Sequence, residues 1–271
     1  MTDKEAMRAD TALCKQTPSL SRERAQGLIA AGLVYCDGVL IKKAAQKVAA
    51  DAVLEVRGEC CPYVSRGGFK LAHALDAFHV NPKGLVCLDV GASTGGFTDV
   101  LLQCGAARVY AVDVGSGQLD ARIASDARVT SYENTNARAL RSDLFPVAPT
   151  LGVMDVSFIS ILKILPALHD VLRAGRLISL VKPQFEAGPG APQKKGVISS
   201  AAVHERVLRD VAALAPQCGW RVRSYVVSPI VGTQGNIEFL ADLIPDDGCT
   251  PLPRPEDLRT LVRSAHAQLR R

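Results

Sequence analysis

Leu85-Val86-Cys87-Leu88-Asp89-Val90-Gly91-Ala92-Ser93-Thr94-Gly95-Gly96-Phe97-Thr98-Asp99 is the stretch on which the fold turns. An apolar run of strand length ends in an acid, passes through small residues that let a ligand approach the backbone, and opens a helix from Gly96 towards Cys104. The pattern predicts a strand, a turn and a helix around a nucleotide-sized pocket. Twenty-four residues after Asp89, Val109-Tyr110-Ala111-Val112-Asp113 reads as the next buried strand, again ending in a carboxylate. An acid at that point can accept both ribose hydroxyls of a nucleoside held at the first turn.

Three chemistries share this local pattern. A dinucleotide-binding turn needs G-x-G-x-x-G, but Ser93 replaces the second glycine and Gly95-Gly96 arrive out of register. Gly91-Ala92-Ser93-Thr94-Gly95 also fits the G-x-S-x-G elbow of a serine hydrolase, with His169, His204 and His266 downstream. Such an elbow usually follows several earlier strands, whereas Leu85 to Asp89 looks like the first of its domain. The third is an S-adenosylmethionine pocket. There Asp89 and the turn Gly91, Ser93, Gly95, Gly96 and Phe97 hold the amino-acid end of the cofactor, and Asp113 holds its ribose. Asn136, just after the third strand, is placed where an adenine edge would lie.

The totals bound the alternatives. A chain of 271 residues, 48% hydrophobic and 22% charged, is of the soluble globular type, with length for one large domain or two modest ones. A net charge of +5 tolerates a polyanionic partner, while 5% aromatic residues argue against a surface that stacks many unpaired bases. The eight cysteines, at 14, 36, 60, 61, 87, 104, 218 and 249, form no C-x-x-C or zinc-like pairing. A reducing cytoplasm is therefore expected, and no metal. The first residues are polar and no apolar run nears the roughly 20 residues that span a bilayer, so neither a secretion signal nor a membrane helix is expected.

Four segments follow from composition: a small α+β unit over 1–59, a linker over 60–64 containing Cys60-Cys61-Pro62, an α/β domain over 65–245, and a C-terminal loop and basic helix over 246–271. In the first, Ser21 caps a helix that puts Ala25, Leu28 and Ile29 on one face, and Asp37-Gly38 between apolar runs predicts a two-residue hairpin turn. Ser21-Arg22-x-x-Ala25-x-x-Leu28-Ile29-x-x-Gly32-x-Val34 with Asp37-Gly38 resembles the small RNA-binding domain first named in the fourth small-subunit ribosomal protein. With 9 basic and 8 acidic residues over 1–59 the unit is not basic as a whole. Any RNA affinity would come from Arg22, Arg24, Lys42, Lys43 and Lys47 clustering against phosphates.

Beyond the linker, strand-like runs at Arg128–Tyr132, Leu151–Asp155, Arg176–Val181, Trp220–Val227 and Ile237–Leu243 alternate with helical runs at Gln118–Asp126, Ile161–Leu172 and Ala201–Leu214. Alternation of this kind predicts a mostly parallel seven-stranded sheet with helices on both faces and its ligands at the carboxyl ends of the strands. Polar residues recur there: Asp155 ends the fourth strand, Lys182 the fifth, Glu238 lies at the last, and Lys70 sits on the helix leading into the sheet.

Taken in order, Ser65-Arg66-Gly67-Gly68-x-Lys70-Leu71, Asp89 to Thr98, Asp155-Val156-Ser157-Phe158-Ile159-Ser160 and Lys182-Pro183-Gln184-Phe185-Glu186 resemble the TlyA (haemolysin A) family of ribosomal RNA 2′-O-methyltransferases across nearly the whole chain. The resemblance implies a Rossmann-like methyltransferase domain of the FtsJ type, S-adenosylmethionine as cofactor, and ribosomal RNA or ribosomal subunits as partner, with cytidine the nucleoside. It also implies a Lys-Asp-Lys-Glu tetrad on Lys70, Asp155, Lys182 and Glu238, with Arg66 among the RNA-contacting cations. A departure lies in the linker, where Cys61-Pro62-Tyr63-Val64 stands in place of the arginine and tryptophan common in relatives. A ribose hydroxyl is a poor nucleophile, so a base must take its proton. Lys182 is the candidate, because a second cation at Lys70 and partial burial both favour its neutral form. Asp155 and Glu238 would orient the lysines. The competing classes are a membrane-lysing protein, a non-catalytic RNA-binding factor and an esterase centred on Ser93; a monomer is expected.

Overall fold

The computed structural model describes residues 6–18, 20–30, 32–57, 61–188, 190–191, 195–232 and 234–269. Cys60 of the linker and Pro192, Gln193 and Lys194, in the proline- and glycine-rich loop Pro192-Gln193-Lys194-Lys195-Gly196, lie outside them. The chain divides into two units, Met1–Pro62 and Tyr63–Arg271.

In the smaller unit, β1 (Ala6–Arg8) leads into α1 (Ala9–Gln16) and α2 (Arg22–Ala30), followed by β2 (Val34–Cys36), β3 (Val39–Leu40), β4 (Lys47–Ala49) and β5 (Leu54–Val56). The expected hairpin forms, with Asp37 at φ 48° and Gly38 at φ 80°, the left-handed pair that matches the twist of two antiparallel strands. Ala25, Leu28 and Ile29 of α2 meet Ala9 and Leu13 of α1 and Val34 of β2 in one core. Neither α1 nor the β1–β4 pairing is announced by the sequence. No side chain caps α1, and its apolar face is only Ala9, Ala12 and Leu13.

The larger unit begins with α3 (Gly67–Ala77), β6 (Val86–Val90), α4 (Gly96–Gln103), β7 (Arg108–Val112), α5 (Ala121–Ala124) and β8 (Val129–Tyr132). It continues with β9 (Leu151–Met154), α6 (Leu165–Leu172), β10 (Arg176–Val181), α7 (Pro183–Glu186), α8 (Ala201–Leu214), β11 (Trp220–Val227), β12 (Phe239–Pro245) and α9 (Pro255–Leu269). Its seven strands lie in the order β11-β12-β10-β9-β6-β7-β8. All neighbours from β10 to β8 are parallel, and β12 is antiparallel to both its neighbours. Strands buried on both faces read as unbroken apolar runs, which is why β6, β7, β9 and β10 were visible in the sequence. Two apolar layers cover the sheet, one including Leu71, Phe97 and Leu101, the other Leu165, Leu168, Val207 and Trp220.

Three boundaries differ from expectation for local reasons. The helix expected over Gln118–Asp126 shrinks to four residues, because Asp120 N donates to Thr94 O at 3.2 Å while the Asp120 side chain caps Arg122 N at 2.9 Å. The Ile161–Leu172 run splits into a 3-10 turn over Ile161–Lys163 and α6, with Pro166 in the first turn of α6 where its missing N–H costs nothing. The last strand starts at Phe239, since Asn236 O accepts from Gly232 N at 2.8 Å and keeps the preceding residues in a loop. Among the described residues no helix is long and apolar enough to cross a membrane.

Candidate active site

The turn after β6 is built around a close approach of backbone. Gly91 has φ 81°, and a Cβ there would run into the Asp155 carbonyl oxygen. Gly95, at φ 92°, starts α4, and a Cβ on Gly96 would run into Ser65 Oγ. This is the point where the sheet order reverses, β6 having β7 on one side and β9 on the other, so the crevice of a doubly wound sheet opens here. Asp89, one residue before the end of β6, is wholly buried. Thr98 Oγ1 donates to its Oδ2 at 2.7 Å, while Oδ1 has no hydrogen-bond partner. Burial, reinforced by the Asp155 charge, pushes the Asp89 carboxyl up to about 7 against the Thr98 hydrogen bond.

Two lysine–carboxylate pairs stand at the same edge. Because β12 runs antiparallel to β10 with Val181 opposite Phe239, the residue before β12, Glu238, meets the carboxyl ends of the parallel strands. Lys70 Nζ lies 2.6 Å from Glu238 Oε2 and Lys182 Nζ 2.6 Å from Asp155 Oδ1. Lys182 also donates to Ser157 Oγ at 2.9 Å. Lys70, Lys182 and Glu238 are all buried. All four charged groups line one cavity of about 280 Å³ together with Arg66, Gly91, Ser93, Gly96 and Phe97. Each lysine is thus matched to its own carboxylate, instead of one lysine being set against the other's bare charge.

Beside the cavity, the loop after β9 carries Phe158 at φ 65° and 90% exposed, its ring 5.1 Å from that of Phe185 on α7. A non-glycine residue in the left-handed region is strained, and a large exposed aromatic is unusual. A smaller cavity next to the first is lined by Ser93, Asp113, Gly115, Gln118 and Glu133 among others. There the Asp113 carboxylate accepts from Ser93 N and Gly115 N, both at 2.8 Å, which fixes it at the lip of the pocket.

Residues 63–243 match the model of the FtsJ-like methyltransferase family, and residues 7–54 match the S4 domain. The chain belongs to the FtsJ-like methyltransferase family. It is 41% identical to an rRNA methyltransferase suspected in Bacillus subtilis, YqxC, over 100% of this chain and 97% of that one. It is 42% identical to the 16S/23S rRNA (cytidine-2′-O)-methyltransferase TlyA of Mycobacterium tuberculosis over 86% and 87% of the two chains. The solved structure of a suspected hemolysin from Streptococcus thermophilus superposes with a TM-score of 0.78 at 41% identity, covering 98% of both chains.

The methyl donor of this methyltransferase is S-adenosylmethionine, and the turn fits it on observations of its own. The unpartnered Asp89 Oδ1 suits the ammonium of the amino-acid end, the glycines at 91 and 96 leave room where side chains would collide, and Asp113 faces the smaller pocket with its carboxylate held. Neither Asp89, wholly buried two residues before the cavity-lining Gly91, nor Asn136 lines either cavity; the Asn136 side chain caps a 3-10 turn by accepting from Arg138 N at 3.1 Å. Gln118 and Glu133, which sequence reasoning did not single out, stand in the smaller pocket instead. Ser157, Thr98 and Gly232 were also missed. Gly232 is the most telling, since a Cβ there would run into the Glu238 carboxylate. Ser93 does carry the strained φ of 48° expected of an elbow, yet the candidate histidines stand elsewhere. His204 Nδ1 lies 3.0 Å from His266 Nε2, and His169 packs edge-on against Trp220.

In the S4 unit, Lys42, Lys43 and Lys47 are exposed, and the side chain of Arg24 lies outside the described residues. Arg22 keeps its side chain 59% exposed while its Nε pairs with the buried Asp10 at 3.2 Å. Arg8, unremarked in the sequence, pairs with the same carboxylate at 2.9 Å and lies opposite Lys47 in the β1–β4 ladder.

Proposed function

We propose that this methyltransferase acts on a ribose 2′-hydroxyl of ribosomal RNA, at a cytidine, in assembled or partly assembled ribosomal subunits of the cytoplasm. What supports the substrate is the rRNA (cytidine-2′-O)-methyltransferase activity for which the Mycobacterium tuberculosis relative is named, together with the S4 match; what supports the chemistry is the convergence of two lysine–carboxylate pairs on one cavity with the glycine turn after β6.

Bound S-adenosylmethionine supplies an electrophilic methyl carbon on a sulfonium sulfur. Everything else falls to the chain. Asp89, whose Oδ2 accepts from Thr98, would accept from the cofactor ammonium through Oδ1, and Asp113, held by Ser93 N, would accept from its ribose hydroxyls. Acting as the unprotonated amine, Lys182 Nζ takes the proton that leaves the 2′-hydroxyl, and Asp155 2.6 Å away stabilises the ammonium that forms. Ser157 fixes the direction of that amine. Lys70, held by Glu238, places positive charge where the hydroxyl oxygen becomes negative. Arg66, on the cavity wall, suits a flanking phosphate, and the exposed Phe158 ring offers a face to a base turned out of its stack. The S4 unit adds sequence-independent phosphate contacts through Arg22, Arg24, Lys42, Lys43 and Lys47.

The test is transfer of a labelled methyl group to small subunits, large subunits and protein-free ribosomal RNA, followed by nucleoside analysis. 2′-O-methylcytidine is the expected product. A methylated base, or no transfer to any of the three, overturns the proposal.

A further inference from the structure

The strand ends that carry Asp155 and Lys182 are joined a second time, outside the cavity. Four residues after Lys182, α7 turns the Glu186 carboxylate back onto the loop that follows β9: Oε2 accepts from Ser160 Oγ at 2.6 Å and Oε1 from Ile161 N at 2.8 Å. Ser160 Oγ in turn accepts from Leu162 N at 3.2 Å, so one carboxylate organises the whole exit of the loop. The start of that loop is held by Lys182 on Asp155 and Ser157. Between the two anchors stands Phe158, strained at φ 65°, largely exposed and with its ring 5.1 Å from that of Phe185. A left-handed phenylalanine keeps that conformation only where its surroundings enforce it. Pro183 at the first position of α7 presets the helical φ there, and Glu186 N donates to Lys182 O at 3.3 Å.

We infer that Glu186 is a positioning residue: by tying the loop exit to α7 it holds Phe158 outward as a platform for the substrate base and keeps Ser157 on Lys182. The inference rests on the assignment of the cavity to ribose methylation. Loss of the carboxylate frees the loop exit, lets Phe158 relax out of the left-handed region, and disorders the lysine amine without touching the Asp89 turn.

The experiment compares the parent with Glu186→Ala and Glu186→Gln for methyl transfer to ribosomal RNA and for S-adenosylmethionine affinity. Glu186→Ala is expected to lower kcat about 10- to 100-fold, by analogy with the loss when outer-shell partners that orient metal ligands are removed, with cofactor Kd within about two-fold. Glu186→Gln, whose amide oxygen still accepts from Ile161 N, is expected to recover most of the loss. A kcat within about two-fold of the parent in the alanine variant, no recovery in the glutamine variant, or a cofactor Kd that weakens in step with kcat overturns the assignment. A second arm needs no turnover. A Phe158→Trp reporter, read after subtracting the signal of the chain's single native tryptophan, Trp220, follows loop motion through fluorescence anisotropy. Adding Glu186→Ala is expected to lower the anisotropy of that reporter, and an unchanged value overturns the clamp. A parent protein inert on every RNA sinks the proposed function instead, and the anisotropy arm still reads Glu186.

Discussion

Asp10 in the S4 unit and Asp89 in the methyltransferase unit are both wholly buried carboxylates, and they stand in opposite conditions. Asp10 is saturated: Arg8 donates through Nε and a terminal nitrogen at 3.0 and 2.9 Å, Arg22 Nε at 3.2 Å, Gln26 Nε2 at 2.8 Å and Thr11 N at 2.9 Å. Asp89 is served by Thr98, whose Oγ1 donates to Oδ2 at 2.7 Å, and among the described residues its other oxygen has no hydrogen-bond partner. The Arg8 hydrogen bonds, with those of Gln26 and Arg22, hold Asp10 far below the usual carboxylate range, whereas burial pushes Asp89 up to about 7. Burial alone therefore does not distinguish structure from function. A buried acid whose bonds are complete holds elements together, and one left incomplete under the turn that lines a cavity is open to completion by a ligand.

The contrast is tested most severely at the incomplete end. Lys182→Ala is expected to cut methyl transfer by about 10²- to 10⁴-fold, the range of general base catalysis, while cofactor affinity stays near that of the parent, as single-turnover kinetics and equilibrium dialysis would read. Transfer as fast as the parent's would remove Lys182 from the chemistry and leave the cavity a binding site only. Asp89→Asn comes next. Losing a charge-assisted bond to the cofactor ammonium is worth about 1.5–3 kcal/mol, hence a Kd raised by roughly 10- to 100-fold in calorimetry. The melting temperature should hold or rise, because the substitution removes a buried acid with one oxygen left unpaired. A lower melting temperature with unchanged Kd would make Asp89 a second Asp10.

Much of this edge was legible in the sequence because parallel strands buried on both faces are unbroken apolar runs, and the first polar residue after each run marks the ligand-facing edge. Asp155 and Lys182 are found that way. Their pairing is not, since which lysine meets which carboxylate depends on β12 running antiparallel with Val181 opposite Phe239, a register that no local pattern encodes. The Asp10 cluster was invisible for a different reason. It assembles from β1, α1 and α2, where apolar periodicity is short and Arg8 and Arg22 look like ordinary surface cations. Arg22 read as a phosphate contact carries a second, structural task.

At the complete end the expectations reverse. Asp10→Asn should destabilise the S4 unit by about 1–3 kcal/mol, less than for a fully buried pair because Arg8 and Arg22 remain 38% and 59% exposed. Cofactor Kd should not move. The two acids also respond to pH with opposite signs. The native state holds Asp10 ionised where the unfolded chain would be protonated, so its contribution is full above the ordinary carboxylate range and is lost as pH falls below it. Asp89 is protonated in the native state up to about pH 7 and ionised in the unfolded chain above about 4, so its contribution declines as pH rises through that window. Hydrogen exchange resolved by unit, measured from pH 4 to 8, should show the methyltransferase slope flatten in Asp89→Asn. An identical slope in parent and variant would contradict the raised carboxyl.

The smallest effects belong to the exposed cations, where the same contrast can be drawn within one unit. Lys42, Lys43 and Lys47 have no buried carboxylate to serve, so changing each to Gln should weaken ribosomal RNA binding only a few-fold and lower the slope of log K against log salt by about 0.7–0.9 per lysine, with thermal unfolding unchanged. Arg22→Gln should lower that slope by a similar amount and also destabilise the unit, because its guanidinium is one of the groups that complete Asp10. If Arg22→Gln changes stability but leaves the salt slope where it was, Arg22 belongs wholly to the Asp10 cluster and the phosphate-contacting face of the S4 unit reduces to its lysines. If the triple lysine variant also keeps the parent slope, RNA affinity does not arise on this face, and Arg66 beside the cavity becomes the cation to remove next.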